Sequence, residues 1–142
     1  IIFMDADASY SFEGAENILN KLSEGSEVVS GSRFLNGGKI PEGMGKMHFF
    51  GNRILSRISS IKNKRKISDL CTGLWGFSNK SLNALNFISK GFDIEAEIMG
   101  KCRISGLRHE EIGIIWSTRK GGKSKLNSFR DGFIIMLRIL RT

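Results

Sequence analysis

An α/β fold with a mostly parallel sheet flanked by helices is what this sequence predicts. Short apolar runs with the character of buried strands alternate with stretches whose apolar residues recur at helical spacing, the pattern of a sheet covered by helices. The 142 residues, 40% hydrophobic and 25% charged, suit one globular domain and exclude a disordered chain. A single proline and glycines without period exclude collagen-like and proline-rich classes.

The first apolar run, Ile1-Ile2-Phe3-Met4, ends at Asp5 and reads as a buried strand whose C-terminal end opens into a loop. Phe12, Ala15, Ile18, Leu19 and Leu22 follow at helical spacing, with Ser11 placed to cap them. Val28 and Val29 mark a second strand over 27–30, stopped by Gly31-Ser32-Arg33. Asn36-Gly37-Gly38 is a turn signal, and a glycine-rich loop runs past Pro41 to Gly45. Phe50, Ile54, Leu55, Ile58 and Ile61 share one face of a helix over 49–61. A short strand over 74–77 follows, and Ser78 caps a helix reaching about Phe87. A further helix covers 93–104, with Ile94, Ile98 and Met99 inward, and Ile112, Ile114 and Ile115 mark a strand within 107–116. The loop 117–125 leads into a last helix from about Ser128. No linker divides the chain, so 1–142 reads as one domain.

The first strand lacks an initiator Met and a charged segment before it, which excludes a signal peptide and leads us to expect an excerpt cut inside a sheet. No apolar run approaches the ~18 residues of a membrane span. Cys71 and Cys102 cannot make a disulfide framework or a four-ligand zinc site, a usage that fits a reducing compartment. The net charge of +8 points to an anionic partner. Lysines and arginines crowd 57–66, which reads as a solvated face, and the tail from Arg119 to Arg141, where only Asp131 opposes them.

Asp5-Ala6-Asp7 is the most informative feature. Carboxylates at i and i+2 point the same way from an extended backbone, and past a strand's C-terminal end they occupy the crevice where open α/β sheets bind ligands. Hard oxygen donors of this kind suit Mg²⁺ or Mn²⁺ bridging to substrate phosphates. The same residues permit a haloacid-dehalogenase-like phosphatase, with Asp5 as nucleophile and Asp7 as general acid/base. That reading needs a later acidic pair at a strand end, and Glu110-Glu111 precedes its strand instead. A basic nucleic-acid-binding module is the third reading, although no RNA-recognition aromatic pattern or helix-turn-helix signal accompanies the charge, so no nucleic acid is expected.

Five segments in order resemble family 2 glycosyltransferases of the dolichyl-phosphate or polyprenyl-phosphate mannose or glucose synthase group. They are Asp5-Ala6-Asp7, Val28-Val29-Ser30-Gly31-Ser32-Arg33-Phe34, Ser68-Asp69-Leu70-Cys71-Thr72-Gly73, Phe92-Asp93-Ile94-Glu95-Ala96-Glu97 and Arg119-Lys120-Gly121-Gly122-Lys123-Ser124-Lys125-Leu126. The resemblance implies the C-terminal part of a Rossmann-like GT-A catalytic domain that starts at the metal-binding strand. It implies metal-dependent, inverting transfer of a hexose from a nucleotide-sugar donor to a polyprenyl phosphate. It places the enzyme in the cytoplasm, peripheral to or anchored at the inner face of the membrane.

Carried over residue by residue, the resemblance makes Asp5 and Asp7 the ligands of Mg²⁺ or Mn²⁺ and of the donor diphosphate, with Ser9 as a weak metal ligand. Arg33, beside Ser32, lies where the family holds the acceptor phosphate. Arg119, Ser124 and Lys125 belong to a loop that closes over the leaving diphosphate. Glu97, with Glu95 beside it, matches an acidic residue that orients the acceptor or a catalytic arginine. Asp69 organises its loop. Where the family carries a second phosphate-binding arginine this sequence has Lys46-Met47-His48, so Lys46 or His48 takes that role. The tail helix over 128–142 sets Arg130, Asp131, Arg138 and Arg141 in one arc opposite a broad apolar face, the pattern of a helix lying on a membrane surface.

Overall fold

A computed structural model describes residues 1–35, 39–118 and 127–142. Its elements are β1 (Ile2–Met4), α1 (Phe12–Ser23), β2 (Val28–Ser32), α2 (Lys46–Asn63), β3 (Leu74–Phe77), α3 (Asn79–Ala84), α4 (Ile94–Ile104), β4 (His109–Gly113) and α5 (Ser128–Arg141). Local chemistry sets the helix starts. Ser11 Oγ accepts the Gly14 amide, Ser78 Oγ the Ser81 amide and Asn127 Oδ1 the Arg130 amide, each an N-cap bond.

The fold is α/β, but its sheet is mixed instead of mostly parallel. Among the described residues the strand order is β1-β3-β2-β4, and only β2 and β4 run parallel, with Val28 opposite His109 and Ser32 opposite Gly113. β3 is antiparallel to both β1 and β2. The alternation of strands and helices suggested repeated parallel crossovers. After α2, however, the chain returns through 64–73 and re-enters beside β2 in the opposite direction, a choice that local periodicity does not encode. β1 also departs from the expected buried strand: it is the outer strand here, with Phe3 40% and Met4 38% exposed.

Two apolar layers clothe the sheet. On one side Ile18 of α1 packs with Val29, Leu74 and Ile114. On the other, Val28, Trp75 and Phe77 meet Leu55, Ile98, Met99, Ile135 and Ile139 from α2, α4 and α5. The second layer carries the function, because the helices that build it also wall the cavity described next.

Candidate active site

Beyond the C-terminal end of β1, a cavity of about 860 Å³ opens between the sheet loops and helices α2 and α5. Asp5 and Asp7 both line it, as do Ser9, Tyr10, Arg33 and Glu95. The two carboxylates do not converge through strand alternation as expected. The strand stops at Met4, residues 6–7 form a turn, and Ala8 takes a left-handed φ of 61°. A non-glycine residue pays for that conformation, and such strain gathers at functional sites. The turn is closed by the Ser9 amide donating to Asp7 Oδ1 at 3.0 Å.

Asp5 is seated on Gly73. The Asp5 amide donates to the Gly73 carbonyl at 2.9 Å, and a Cβ on Gly73 would lie 2.0 Å from Asp5 Oδ2. Only glycine leaves the carboxylate that place. The Gly73 amide donates in turn to Tyr10 Oη at 2.7 Å, and burial raises the pKa of that phenol. Neither Gly73 nor Tyr10 was singled out as a site residue from sequence. The Thr72-Gly73 dipeptide was the available signal.

Arg33 reaches the cavity, but its guanidinium is held from behind. Nε and Nη2 donate to the two oxygens of Asp69, each at 2.7 Å, and Nη2 also donates to the Cys71 carbonyl. Asp69 is buried and further accepts the Arg33 amide at 3.0 Å and Asn52 Nδ2 at 2.6 Å. Burial opposes the charge on Arg33, and the bonds to Asp69 outweigh it and raise the pKa. A two-pronged grip on a phosphate through Nε and Nη2 is therefore not available, and Arg33 offers the cavity a fixed positive charge. Glu111 on β4 supports this node, its carboxylate accepting the Ser68 amide at 2.9 Å and the Asp69 amide at 3.2 Å. Asp69 thus organises the loop as expected, and Glu111 and Asn52 join it as positioning residues.

Of the two glutamates at the start of α4, the structure brings Glu95 to the cavity and not Glu97. Glu97 is 1% exposed, accepts the Ile88 and Ser89 amides and pairs with Lys101 at 2.8 Å. Burial raises its pKa, but Lys101 and those amides prevail and hold the carboxyl below its usual range. Residues two apart on a helix point to nearly opposite sides, so the pair cannot share one task. Burial, with Asp5 nearby, pushes Glu95 up to about 8, against a smaller pull from Arg33. Cys71 also lines the cavity, and burial, with Glu95 and Asp69 nearby, raises its thiol pKa.

The remaining expected residues divide. Ser9 is buried and lines the cavity; His48 lines it from the first turn of α2; Lys46 is exposed on that turn and does not line it. Ser32 is fully buried, its hydroxyl shared with Ser68 Oγ at 2.7 Å, and it serves the fold instead of the cavity. Arg119, Ser124 and Lys125 lie outside the described residues. The α2 N-terminus adds a feature that sequence reading missed. Gly45 caps it without a side chain and no acidic residue occupies its first turn, so this positive helix end lies at the cavity wall formed by Gly45, Met47 and His48.

The other wall is apolar. Phe50, Ile54 and Leu55 of α2 and Phe129, Phe133 and Met136 of α5 line the cavity. α5 is fixed at its far end, where Arg138 Nε pairs with Asp93 Oδ2 at 2.7 Å, Lys62 Nζ donates to the Leu140 carbonyl and Arg103 to the Thr142 carbonyl. Arg138 is thereby withdrawn from the basic arc expected on this helix. Ile135 and Ile139 are buried, whereas Phe129 is 81% exposed and Phe133 56%. No helix among the described residues is long and apolar enough to cross a membrane.

The donor chemistry fits a hard divalent cation: two carboxylates and a hydroxyl line the cavity, and such ions also take phosphate and water oxygens. Asp5 and Asp7, with Ser9, would hold it. The acidic pair that a phosphatase would need is occupied otherwise, Glu110 accepting Ser26 Oγ at 2.7 Å and Glu111 supporting Ser68.

The loop past β1 brings two carboxylates to a large, part-apolar cavity, and similarity to known proteins identifies the class. The family model described as glycosyl transferase family 2 matches residues 1–85, and the chain belongs to that family. Glycosyltransferase AglJ of Haloferax volcanii is 29% identical over 142 residues, covering 99% of this chain and 46% of its own length. The dolichyl-phosphate hexose transferase of the same organism is 25% identical over 135 residues, 95% of this chain and 57% of its own. The dolichol-phosphate mannosyltransferase of Pyrococcus furiosus is 27% identical over 127 residues, 88% of this chain and 35% of its own. The chain thus spans about a third to somewhat over half of these relatives. They support neither the phosphatase nor the nucleic-acid reading.

Proposed function

We propose that this chain is the C-terminal part of a GT-A catalytic domain that transfers a hexose from a nucleotide-diphosphate sugar to a polyprenyl phosphate at the cytoplasmic face of a membrane. The observation that carries this reading is the two-sided cavity: carboxylates, Arg33 and an uncapped helix end on the sheet side, apolar side chains of α2 and α5 on the other. A phosphate attached to an isoprenoid chain has the same two-sided chemistry. The relatives named for dolichyl-phosphate transfer support the acceptor class.

Asp5 and Asp7, with Ser9, would hold Mg²⁺ or Mn²⁺, which would supply charge neutralisation for the departing diphosphate. Arg119 and Lys125 of the closing loop add two cations there, and Ser124 a hydroxyl. The acceptor phosphate lies toward the α2 N-terminus, where backbone amides, His48 and the charge of Arg33 orient it. Its oxygen is largely ionised near neutral pH, since the second phosphate pKa is about 6. The protein then aligns that oxygen with the anomeric carbon and needs no general base. Displacement from the face opposite the diphosphate inverts the anomeric centre. Exposed apolar residues of α2 and α5, Phe50, Ile54, Phe129 and Phe133 among them, rest on the bilayer that retains the acceptor.

Asp5→Asn and Asp7→Asn in the full-length enzyme test the reading. Each removes one of two carboxylates, and turnover at limiting Mn²⁺ or Mg²⁺ is expected to drop at least ~100-fold while the thermal melt holds. Near-normal turnover by either variant would sink the metal and diphosphate assignment.

A further inference from the structure

Among the described residues four glycines sit inside helices: Gly14 in α1, Gly51 in α2, Gly100 in α4 and Gly132 in α5. A helical glycine is a poor choice, destabilising relative to alanine through lost backbone entropy, so each needs a reason. For Gly14 and Gly100 the reason is packing. A Cβ on Gly14 would lie 3.2 Å from Leu74 Cδ2, and one on Gly100 would lie 2.4 Å from Thr142 Cγ2. Gly51 and Gly132 have no such neighbour, since a Cβ on either meets nothing within 4 Å. Both belong instead to the cavity wall, one on each of the two helices that form its apolar side.

The geometry points to Gly51 and Gly132 as the residues that set the width of the acceptor's hydrocarbon slot. The missing side chains leave room between α2 and α5, flanked by Phe50 and Ile54 on one helix and Phe129 and Phe133 on the other. An isoprenoid carries a methyl branch on every unit and needs a wider slot than a straight acyl chain. Two glycines lining the cavity, each with open space where a side chain would stand, supply that width where any larger residue would narrow it. This rests on the lipid-phosphate acceptor proposed above, and it names which residues select the lipid.

The experiment uses the full-length enzyme and a graded series, Gly51→Ala and Gly51→Leu, Gly132→Ala and Gly132→Leu. Three quantities are read on each: the thermal midpoint, equilibrium binding of polyprenyl phosphate in detergent, and kcat/KM for that acceptor. The midpoint is expected to hold or rise, because alanine and leucine are better helix formers and the space is open. Acceptor binding and kcat/KM are expected to fall with side-chain size. The leucine variants should lose at least the roughly tenfold that one methylene can cost in an apolar pocket. Leucine variants that bind polyprenyl phosphate like the wild type overturn the inference. A midpoint that falls together with binding overturns it too, since the glycines would then serve helix packing. If the wild type binds polyprenyl phosphate without turning it over and the leucine variants lose binding, the slot stands and the acceptor assignment fails.

Discussion

Gly73→Ala presses on the site at its tightest point. The new Cβ would stand 2.0 Å from Asp5 Oδ2 and 2.3 Å from its Cγ, whereas real Cβ atoms essentially never come within 3.0 Å of a neighbour. The carboxylate must retreat by about 1 Å. For the fold that retreat is inexpensive, because Asp5 is exposed and belongs to neither apolar layer. For a metal and diphosphate site it is not, since a misplacement of ~1 Å can cost ~100-fold in rate, equivalent to about 2.7 kcal/mol of barrier. Initial rates of hexose transfer to polyprenyl phosphate, followed across a Mg²⁺ or Mn²⁺ series in the full-length enzyme, measure the loss. Thermal melts on the same samples should stay within ~4 °C of the wild type. A variant with wild-type kcat/KM and an unshifted metal dependence would refute the role assigned to the Asp5–Gly73 contact.

Asp69→Asn should act on stability, since it breaks a buried pair and leaves the Arg33 charge uncompensated; such a loss costs ~3–5 kcal/mol, and urea unfolding that moves by under ~1 kcal/mol would show that Arg33 finds another partner. His109 governs part of the acid response. Burial, with Arg65 nearby, lowers its pKa to about 3 from 6.5, so between those values the unfolded chain binds a proton that the native protein does not. Its contribution is complete above pH ~6.5 and is lost on acidification at up to ~1.4 kcal/mol per pH unit. Denaturation midpoints from pH 6.5 to 5 should fall less steeply in His109→Gln, and an identical slope would remove His109 from the account.

What could be read from sequence was whatever local chemistry decides. The Ser11 and Ser78 caps and the 74–77 strand each depend on neighbours a few residues away. What could not be read depends on partners far along the chain. The direction of β3 is set by how 64–73 returns, and the seat of Asp5 by Gly73, which lies 68 residues on. Glu97 matched a familiar pattern better than Glu95, yet Lys101 and the 88–89 amides claim it. Arg33 was recognisable as a cation at the site, but its partner Asp69 consumes the edge that a ligand was expected to use. On α5 the periodicity set Ile135 and Ile139 on the apolar face and both are buried, while the withdrawal of Arg138 needed Asp93 from beside another helix.

Five backbone amides around the Asp69 node, those of Arg33, Ser68, Asp69, Leu70 and Cys71, are held by the side chains of Asp69, Glu111, Ser56 and Asn52. Glu111 holds two of them, and Asn52 bonds to both Asp69 and Ser56, so hydrogen exchange there should proceed as one cooperative event at a single rate. This part of the wall behaves as a rigid jaw. Any breathing of the cavity then falls to the opposite side, where Phe129 and Phe133 of α5, ahead of the Arg138 clasp, stand exposed.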